Sequence, residues 1–318
     1  SVSFRVSIVP TYDGEKTVLR TLNEKTGIIS LEQLGFHKKA LDVVRRNITK
    51  PHGLCLVTGP TGSGKTTTLY AILNILNKPE INITTIEDPI EYRMKGINQS
   101  QVAPKIGYTF AGALRSFLRQ DPDIIMVGEI RDEETAEIAI HAALTGHFVL
   151  STLHTNDAPT TLPRLSEMGV PAFLVASTTN IIIAQRLVRK ICQDCIESYT
   201  LKKEELDKLS KDIDLDGMLA SLEREGLVSK KQDRKSLLFY KGKGCKKCGE
   251  TGYKGRIGIY EVLEVTAEIH DMIIREAPAR EINAKAKEQG MLTIAEDGFI
   301  KAKQGITTME EILRVTKV

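Results

Sequence analysis

The sequence predicts an α/β fold with a doubly wound parallel sheet. Short apolar strands and amphipathic helices alternate through the middle of the 318-residue chain, which is the pattern of consecutive βα units. A glycine-rich stretch of the form G-x-x-x-x-G-K-[ST] occupies positions 59–66, between a predicted strand and a predicted helix. Two Cys-x-x-Cys pairs follow the alternating region. Together these observations predict a phosphate-binding core that carries a metal-binding insert.

The predicted elements follow the chain in order. An N-terminal hairpin has strands at 4–9 and 17–22 around the turn Asp13-Gly14, and a helix follows near 37–47. The alternating region has strands at 54–58, 82–87, 123–128 and 147–152 and helices at 65–77, 109–119, 132–144 and 157–168. A helix at 171–184 comes next, then a charged helical stretch at 201–226 and a helical segment at 260–318 that Pro278 and Gly290 interrupt.

These elements group into four predicted parts. A partial N-terminal α+β domain covers 1–30, and the α/β core covers 31–191. A tetracysteine, zinc-binding insert covers 192–258, because this stretch is rich in lysine, glycine and cysteine. A helical subdomain at 259–318 closes the chain. Since the first predicted strand begins almost at Ser1, we expect the chain to be part of a longer protein.

The composition is that of a soluble globular protein. Apolar residues make up 41% of the chain and charged residues 27%. No run of about 18 uncharged apolar residues is present, and the N-terminus has no signal-peptide pattern. The formal net charge of +3 is too nearly balanced to argue for or against a nucleic-acid partner.

The glycine-rich stretch carries the strongest functional signal. Its glycines allow successive backbone N–H groups to point at phosphate oxygens, and the helix that follows presents its N-terminus to them. Lys65 supplies a positive charge for the β- and γ-phosphates, and Thr66 supplies a hydroxyl ligand for Mg²⁺. We therefore predict that ATP and Mg²⁺ are bound, with nucleotide-binding residues Gly59, Pro60, Thr61, Gly62, Ser63, Gly64, Lys65, Thr66 and Thr67.

The cysteines predict a structural zinc site. Cys192 with Cys195 and Cys245 with Cys248 form the two pairs, and an ATP-binding protein works in a compartment where disulfides are rare. Four thiolate ligands leave no open coordination position, so Zn²⁺ would have a structural role. Redox-active or incidental cysteines are the alternative. Cys55 lies in an apolar strand and is predicted to be a core residue.

Two acidic strand ends are candidate catalytic positions. The predicted strand at 123–128 ends in Gly128, where such folds commonly have an aspartate, and Glu129 follows. Glu129 could polarise the attacking water, directly or through the metal's ligands. A solvent-exposed strand-end carboxylate is the alternative. Glu87, in the acidic turn after the strand at 82–87, is a weaker candidate of the same kind.

Histidines and arginines complete the candidate set. His147 and His154 flank the predicted strand at 147–152, and His154 follows its carboxyl end, where it could contact the γ-phosphate. A structural histidine is the alternative reading. Arginines near the predicted elements are candidates for contacts to a neighbouring subunit's nucleotide, but their spacing does not choose among them; they are Arg5, Arg20, Arg115, Arg119, Arg131 and Arg186.

Six sequence blocks resemble those of the secretion ATPase superfamily, whose members are hexameric motors of type II secretion and type IV pilus systems. In chain order the blocks are 59–66, 84–91 (TTIEDPIE), 114–123 (LRSFLRQDPD), 127–132 (VGEIRD), 144–147 (LTGH) and 151–156 (STLHTN). The four cysteines resemble those of the pilus assembly branch and its type II secretion counterpart. The resemblance implies a RecA-like P-loop NTPase core, a partial sensor-like N-terminal α+β domain, a tetracysteine zinc insert and a C-terminal helical subdomain.

The resemblance also implies residue roles. Glu129 matches the family's catalytic glutamate, and His154 matches the histidine that faces the γ-phosphate. Glu87 matches its acidic box and would help to position water or Mg²⁺. Arg5 and Arg20 match arginines of the N-terminal domain that reach a nucleotide across a subunit interface.

At the level of the whole protein, the resemblance implies a homo-hexameric ATPase at the cytoplasmic face of the inner membrane. It would drive pilin polymerisation, or alternatively type II secretion, by moving a platform protein in that membrane. Compared with the family, we expect part of the N-terminal domain and the region that docks on the membrane complex to lie outside this chain.

Two other classes of function stay open at this point. A zinc-containing, nucleic-acid-stimulated ATPase would suit the lysines around the second cysteine pair. However, the chain has no Trp and only 5% aromatic residues, so nothing indicates a platform for stacking bases. A scaffold that holds nucleotide only as a structural ligand is the other possibility.

Overall fold

The structure is a computed structural model that describes residues 3–22, 29–200, 215–224, 226 and 237–316. At its N-terminal end, strands β1 (Ser3–Thr11) and β2 (Gly14–Leu22) form an antiparallel hairpin. The turn lies at the predicted Asp13-Gly14, where Gly14 has a φ of 129°. The predicted hairpin is therefore confirmed over the residues that the structure describes.

A seven-stranded sheet forms the centre of the fold. Its strands are β3 (Gly53–Thr58), β4 (Ile83–Glu87), β5 (Asn98–Gln101), β6 (Ile124–Val127), β7 (Phe148–Leu153), β8 (Thr179–Ile191) and β11 (Tyr253–Glu264). Their spatial order is β11-β8-β3-β7-β6-β4-β5, and β11 alone among these runs antiparallel to its neighbour. The predicted α/β fold with a parallel sheet is confirmed.

Helices cover both faces of the sheet. One face packs against α1 (Leu31–Leu34), α2 (Lys38–Ile48) and α3 (Lys65–Leu76). The other packs against α4 (Phe110–Phe117), α5 (Glu133–Leu144), α6 (Thr161–Glu167), α7 (Ala172–Thr178), α9 (Ala267–Ile274) and α10 (Ala279–Glu288). The central strands are apolar on both faces because both are buried: Leu54 and Leu56 of β3 face the α4–α7 side, whereas Cys55 and Val57 face α3.

A smaller core lies beside the sheet. It joins α8 (Leu215–Arg224) and the two-stranded ribbon of β9 (Ile196–Thr200) and β10 (Leu238–Gly242) to α11 (Ile294–Lys303) and α12 (Met309–Thr316). Phe239 and Phe299 are buried at its centre. Part of the predicted helical stretch at 201–226, namely residues 201–214 and 225, lies outside the described residues. The predicted division into four parts stays a prediction.

Two element predictions are wrong in part. The helix expected at 171–184 ends at Thr178, and β8 begins at Thr179. Ile181 and Ile183 pack on the α3 side of the sheet while Ile182 packs on the opposite side, so this strand is buried on both faces. A strand buried on both faces has no polar alternation, which is why its sequence resembles a buried helix. The predicted helical segment at 260–318 likewise begins with the last residues of β11.

Within the residues that the structure covers, no helix has both the length and the apolar character that crossing a membrane requires.

Candidate functional site

The glycine-rich loop joins β3 to α3 at the carboxyl edge of the parallel strands. α3 begins directly after Gly64, whose φ of 91° is left-handed, and no side chain caps the first N–H groups of this helix. Gly59 has a φ of 146°, and a Cβ there would lie 2.5 Å from the backbone oxygen of Gln185. The close approach and the unusual φ both require glycine. The result is a tight loop that leads into an uncapped helix N-terminus, which is a favourable site for a phosphate group.

Lys65 lies folded over this loop. Its Nζ donates to the backbone oxygens of Gly59 at 2.8 Å and Pro60 at 3.3 Å. Burial lowers the pKa of Lys65, the nearby carboxylate of Glu129 opposes this effect, and the charge of Arg186 adds to it. A phosphate could replace the two carbonyls as the partner of the ammonium group.

A buried hydroxyl also fits a phosphate ligand. Ser63 is 3% exposed, and its Oγ has no hydrogen-bond partner among the described residues. A buried hydroxyl without a partner is uncommon in proteins, and a phosphate oxygen would accept its hydrogen bond. The loop residues therefore fit the nucleotide that the sequence predicts, with Thr66 at the second position of α3 as the candidate ligand of Mg²⁺.

Glu129 lies just beyond the end of β6, between the side chains of Arg131 and His154. Its Oε1 is 2.5 Å from Nη2 of Arg131, and its Oε2 is 3.3 Å from Nε2 of His154. The side chain of Glu129 is 14% exposed, and its negative charge acts to raise the pKa of Lys65. The hydrogen bond to Glu129 raises the pKa of Arg131 further above its ordinary value. The structure thus brings the predicted Glu129, His154 and Lys65 together at one edge of the sheet.

Gly128 explains why the carboxylate follows the strand instead of ending it. A Cβ at Gly128 would lie 3.2 Å from the backbone oxygen of Ile86 and 3.3 Å from Cα of Glu87. These distances are shorter than ordinary contacts, so a side chain here would need the neighbouring strand β4 to move. The acidic group is accommodated one residue later, at Glu129.

Glu87 has different surroundings. It is 2% exposed, and it accepts hydrogen bonds from the hydroxyls of Tyr70 and Thr85 and from Nε2 of Gln99. The distances from its Oε1 are 2.7 Å to Thr85 and 3.2 Å to Gln99. Burial raises the pKa of Glu87, whereas these three hydrogen bonds act in the opposite direction. Its predicted role in positioning water or Mg²⁺ stays a prediction.

A chain of hydroxyls fixes the loop that follows His154. Oγ1 of Thr58, the last residue of β3, is 2.6 Å from Oγ1 of Thr155, which is in turn 2.6 Å from Oγ1 of Thr161. The backbone N–H of Thr155 also donates to Thr58 at 2.9 Å. Since Thr58 immediately precedes the glycine-rich loop, these bonds hold the His154 segment against the phosphate-binding segment. No sequence signal indicated these bonds, because threonine at a strand end has no distinctive pattern.

Two residues near the middle of β8 also contact the site. Gln185 donates from Nε2 to the backbone oxygen of Ser63 at 2.7 Å. Arg186 donates to the backbone oxygen of Asn156 at 2.9 Å and to that residue's Oδ1 at 3.1 Å. Because the sequence was interpreted as helix over 171–184, neither residue was expected to lie beside β3. Arg186 was already a candidate arginine, and a strand assignment for this segment would have placed both residues beside β3.

Arg5 and Arg20 are directly paired across the hairpin of β1 and β2. The structure describes these two positions by their backbone. Their predicted contact with a neighbouring subunit's nucleotide stays a prediction.

The four paired cysteines converge into one cluster. Their Sγ atoms lie within 4.8 Å of one another, with separations of 3.9 Å between Cys192 and Cys245, 4.0 Å between Cys195 and Cys248, and 3.7 Å between Cys245 and Cys248. A tetrahedral Zn²⁺ with Zn–S distances of about 2.3 Å requires S···S separations of about 3.8 Å. A disulfide requires about 2.05 Å. The donor set therefore fits a metal ion.

Backbone N–H groups support this cluster. The N–H groups of Cys245 and Gly252 point at Sγ of Cys248, at 3.2 and 3.3 Å. Gly242 and Gly252 approach so closely that a Cβ on Gly242 would lie 2.1 Å from the backbone oxygen of Gly252. The glycines around the second pair thus permit the tight turns that bring the thiolates together.

The fold and the site define a class of protein: a RecA-like α/β core with a P-loop and a strand-end glutamate beside it. A profile of the Type II/IV secretion system protein family matches residues 1–314. The chain belongs to this family. The predicted resemblance to secretion ATPases is confirmed.

Relatives from both branches of the family are close in sequence. The chain is 47% identical over its whole length to the type IV pilus assembly ATPase PilB of Pseudomonas aeruginosa, and covers 53% of that protein. It is 45% identical over 99% of its length to the type II secretion system protein E of the same organism, and covers 59% of it. The chain therefore spans somewhat more than half the length of these two relatives.

A solved structure has a similar fold. The crystal structure of the pilus retraction motor PilT with bound ADP matches 99% of this chain and 74% of that one, with 29% sequence identity and a TM-score of 0.68.

Proposed function

We propose that this chain is the ATP-hydrolysing part of a hexameric motor that drives type IV pilus assembly at the cytoplasmic face of the inner membrane. The observation that carries this proposal is the position of Glu129 between Arg131 and His154, beside Lys65 of the P-loop. The names of the relatives support a function in pilus assembly, because several of them are named as type IV pilus assembly ATPases.

In the proposed mechanism each side chain has one role. The glycine-rich loop and the N-terminus of α3 hold the phosphates, and the ammonium group of Lys65 leaves its two carbonyl partners to contact them. The carboxylate of Glu129 accepts a proton from the water that attacks the γ-phosphorus, and ADP leaves with the β-phosphate oxygen. His154 orients Glu129 and contacts the γ-phosphate. Thr66 would hold Mg²⁺, which neutralises phosphate charge when it is bound.

The proposal extends to the neighbouring subunit and to the zinc site. Arg5 and Arg20 contact the nucleotide of an adjacent subunit and stabilise the charge that develops during phosphoryl transfer. The cluster of Cys192, Cys195, Cys245 and Cys248 binds one structural Zn²⁺. Closure of the subunit interface on ATP and its release after hydrolysis move the platform protein in the membrane.

The test of ATP hydrolysis is the variant Glu129→Gln, which keeps the size of the side chain but cannot accept the proton. We expect turnover to fall by about 100-fold or more, since a general base contributes about 10²–10⁴-fold. ATP affinity, measured by calorimetry, should stay within about threefold. Glu137→Gln, a substitution of a largely exposed carboxylate on α5, is the matched control and should hydrolyse ATP normally. Wild-type turnover in the Glu129→Gln protein would contradict the proposed mechanism.

Type II secretion is the second candidate, because the relative from that branch is almost as similar. The two can be separated in Pseudomonas aeruginosa, which has a relative in each branch. Replacing the matching segment of each relative by this chain should restore pilus assembly in the first and fail to restore secretion in the second. The reverse result would assign the chain to secretion.

A further inference from the structure

A buried polar network extends from the glycine-rich loop into the fold. Gln185, near the middle of β8, is 1% exposed and makes two hydrogen bonds. Its Nε2 donates to the backbone oxygen of Ser63 at 2.7 Å, and its Oε1 accepts from the hydroxyl of Thr68 at 2.7 Å. The two ends of one amide group therefore hold the loop and the first turn of α3 in a single relative position.

Gln185 connects this network to β11. The side chain of Thr68, its hydrogen-bond partner on α3, is fully buried. Tyr260 is the direct partner of Gln185 in the antiparallel pairing of β8 with β11. All three side chains thus lie on the α3 side of the sheet.

Tyr260 connects this network to the segment that leads into α2. Its hydroxyl donates to the backbone oxygen of Leu34 at 3.2 Å, and its ring stacks on Phe36 with centroids 3.8 Å apart and planes 22° apart. Between these residues, Gly35 approaches β11 so closely that a Cβ would lie 2.5 Å from the side chain of Ile257. Residues 29–37, which we name the connector, therefore contact β11 through Tyr260 and Ile257.

We propose that Gln185, Thr68 and Tyr260 are positioning residues that couple phosphate binding in the loop to the attachment of the connector on β11. This proposal rests on the proposed function, because it takes ATP as the ligand of the loop. Phosphate binding draws Lys65 away from the carbonyls of Gly59 and Pro60 and changes the loop geometry at Ser63.

The chemistry of the network explains how that change is transmitted. In a buried network each hydroxyl has one proton to donate and each amide has a fixed set of donors and acceptors. A shift of the Ser63 carbonyl therefore obliges the amide of Gln185 and the hydroxyl of Thr68 to adjust together. Tyr260 is the cross-strand neighbour of Gln185, so its position and its bond to the connector change with them. Since the connector precedes α2 and follows the N-terminal hairpin in the chain, this network would link nucleotide occupancy to that hairpin.

The test compares two variants with a matched control. Tyr260→Phe removes one hydroxyl and keeps the ring that stacks on Phe36. Gln185→Leu removes both hydrogen bonds of the amide at similar size. The control is Tyr253→Phe, which removes a phenol that is bonded to Thr308 at 3.0 Å at the other end of the same strand. The ligand is Mg²⁺ with a slowly hydrolysed ATP analogue.

Two quantities are measured for each protein: nucleotide affinity by calorimetry, and amide hydrogen exchange in the connector with and without nucleotide. In the wild type and in Tyr253→Phe, we expect nucleotide to change connector exchange rates by about threefold or more. In Tyr260→Phe this response should disappear, with affinity within about threefold of the wild type. In Gln185→Leu, affinity should fall by about tenfold, because the loop is no longer held in its binding geometry.

Each outcome decides between the proposals. Nucleotide binding by the wild type without a connector response, or a full response in Tyr260→Phe, would overturn the coupling and leave the proposed function intact. Failure of the wild type to bind nucleotide would overturn the proposed function itself. If Gln185→Leu does not fold, Tyr260→Phe is sufficient to decide, because it removes a single hydroxyl.

Discussion

At the scale of single residues, Glu129 and Glu87 show how two strand-end carboxylates acquire different properties. Glu129 lies within reach of Arg131 and His154, next to the phosphate-binding loop. Glu87 is enclosed by Tyr70, Thr85 and Gln99, all of which donate hydrogen bonds to it. Because Glu87 is only 2% exposed, whereas the side chain of Glu129 is 14% exposed, an attacking water has less access to the carboxylate of Glu87.

We therefore predict that Glu87→Gln lowers ATP turnover by less than about tenfold, whereas Glu129→Gln lowers it by about 100-fold or more. Steady-state phosphate release measured on both variants under the same conditions checks this difference. Equal losses in the two variants would show that Glu87 takes part in the chemical step, as the family resemblance implies. ATP affinity serves as the control for a general loss of structure.

Glu87→Gln should also alter the pH dependence of the free energy of unfolding. Burial raises the folded-state pKa of Glu87 above 4.5, so the folded state takes up this proton at a higher pH than the unfolded state does. The resulting stabilisation is fully present below pH 4.5 and is lost as the pH rises through the folded-state pKa. Glu87→Gln has no titrating group at this position, so this contribution to stability is absent from the variant. Urea unfolding should therefore show the stability of the wild type, relative to Glu87→Gln, decreasing as the pH is raised from about 4 to 7.

At the scale of single elements, the cysteine cluster depends on two separate turns. One follows β8 and the other precedes β11, and the pairing of these two strands brings the turns together. We predict one Zn²⁺ per chain by elemental analysis. Replacing Cys245 and Cys248 by serine should abolish zinc binding and lower the thermal unfolding midpoint by several degrees.

Cys55→Ala is the matched control for that substitution, because Cys55 is buried in β3 and lies outside the cluster. It should keep the full zinc content even if it is less stable. Purified wild-type protein that contains no zinc after preparation without chelators would contradict the zinc proposal.

The elements also show what sequence patterns can and cannot predict. The strands β3 and β6 were predictable because each is a short apolar run that ends at a glycine, next to a recognisable motif. β8 was not, since Ile181-Ile182-Ile183 is buried on both sides and gives no period. That error concealed Gln185, whose role depends on β8 lying beside β3 and not on any local motif.

At the scale of the whole molecule, the antiparallel strand β11 connects separate parts of the chain. It borders β8 in the central sheet, carries Tyr260 against the connector, and begins next to the cysteine cluster. Its neighbours come from sequence positions far apart, so no local pattern indicates these contacts. The predicted boundary at residue 258 between insert and helical subdomain falls inside this strand, which means that the two predicted parts share one element of the core.

The proposed division of each catalytic site between two subunits predicts complementation between inactive variants. Glu129→Gln retains Arg5 and Arg20, whereas a variant with both arginines replaced by glutamine retains Glu129. If the arginines act on a neighbour's nucleotide, mixed assemblies contain interfaces that combine an intact glutamate with intact arginines, about a quarter of all interfaces at an equal mixture. We expect the mixture to hydrolyse ATP measurably faster than either variant alone.

The matched control for this mixture combines Glu129→Gln with Lys65→Ala. Both substitutions damage the same side of the interface, so no mixed interface is complete and activity should not recover. Dilution provides an independent check, since turnover per chain should fall at concentrations where the assembly dissociates. Constant turnover per chain from a monomer at high dilution, or the absence of recovery in the arginine mixture, would mean that each subunit hydrolyses ATP with its own residues alone. In that case Arg131 and Arg186, which lie beside the site in the same chain, would be the arginines to test next.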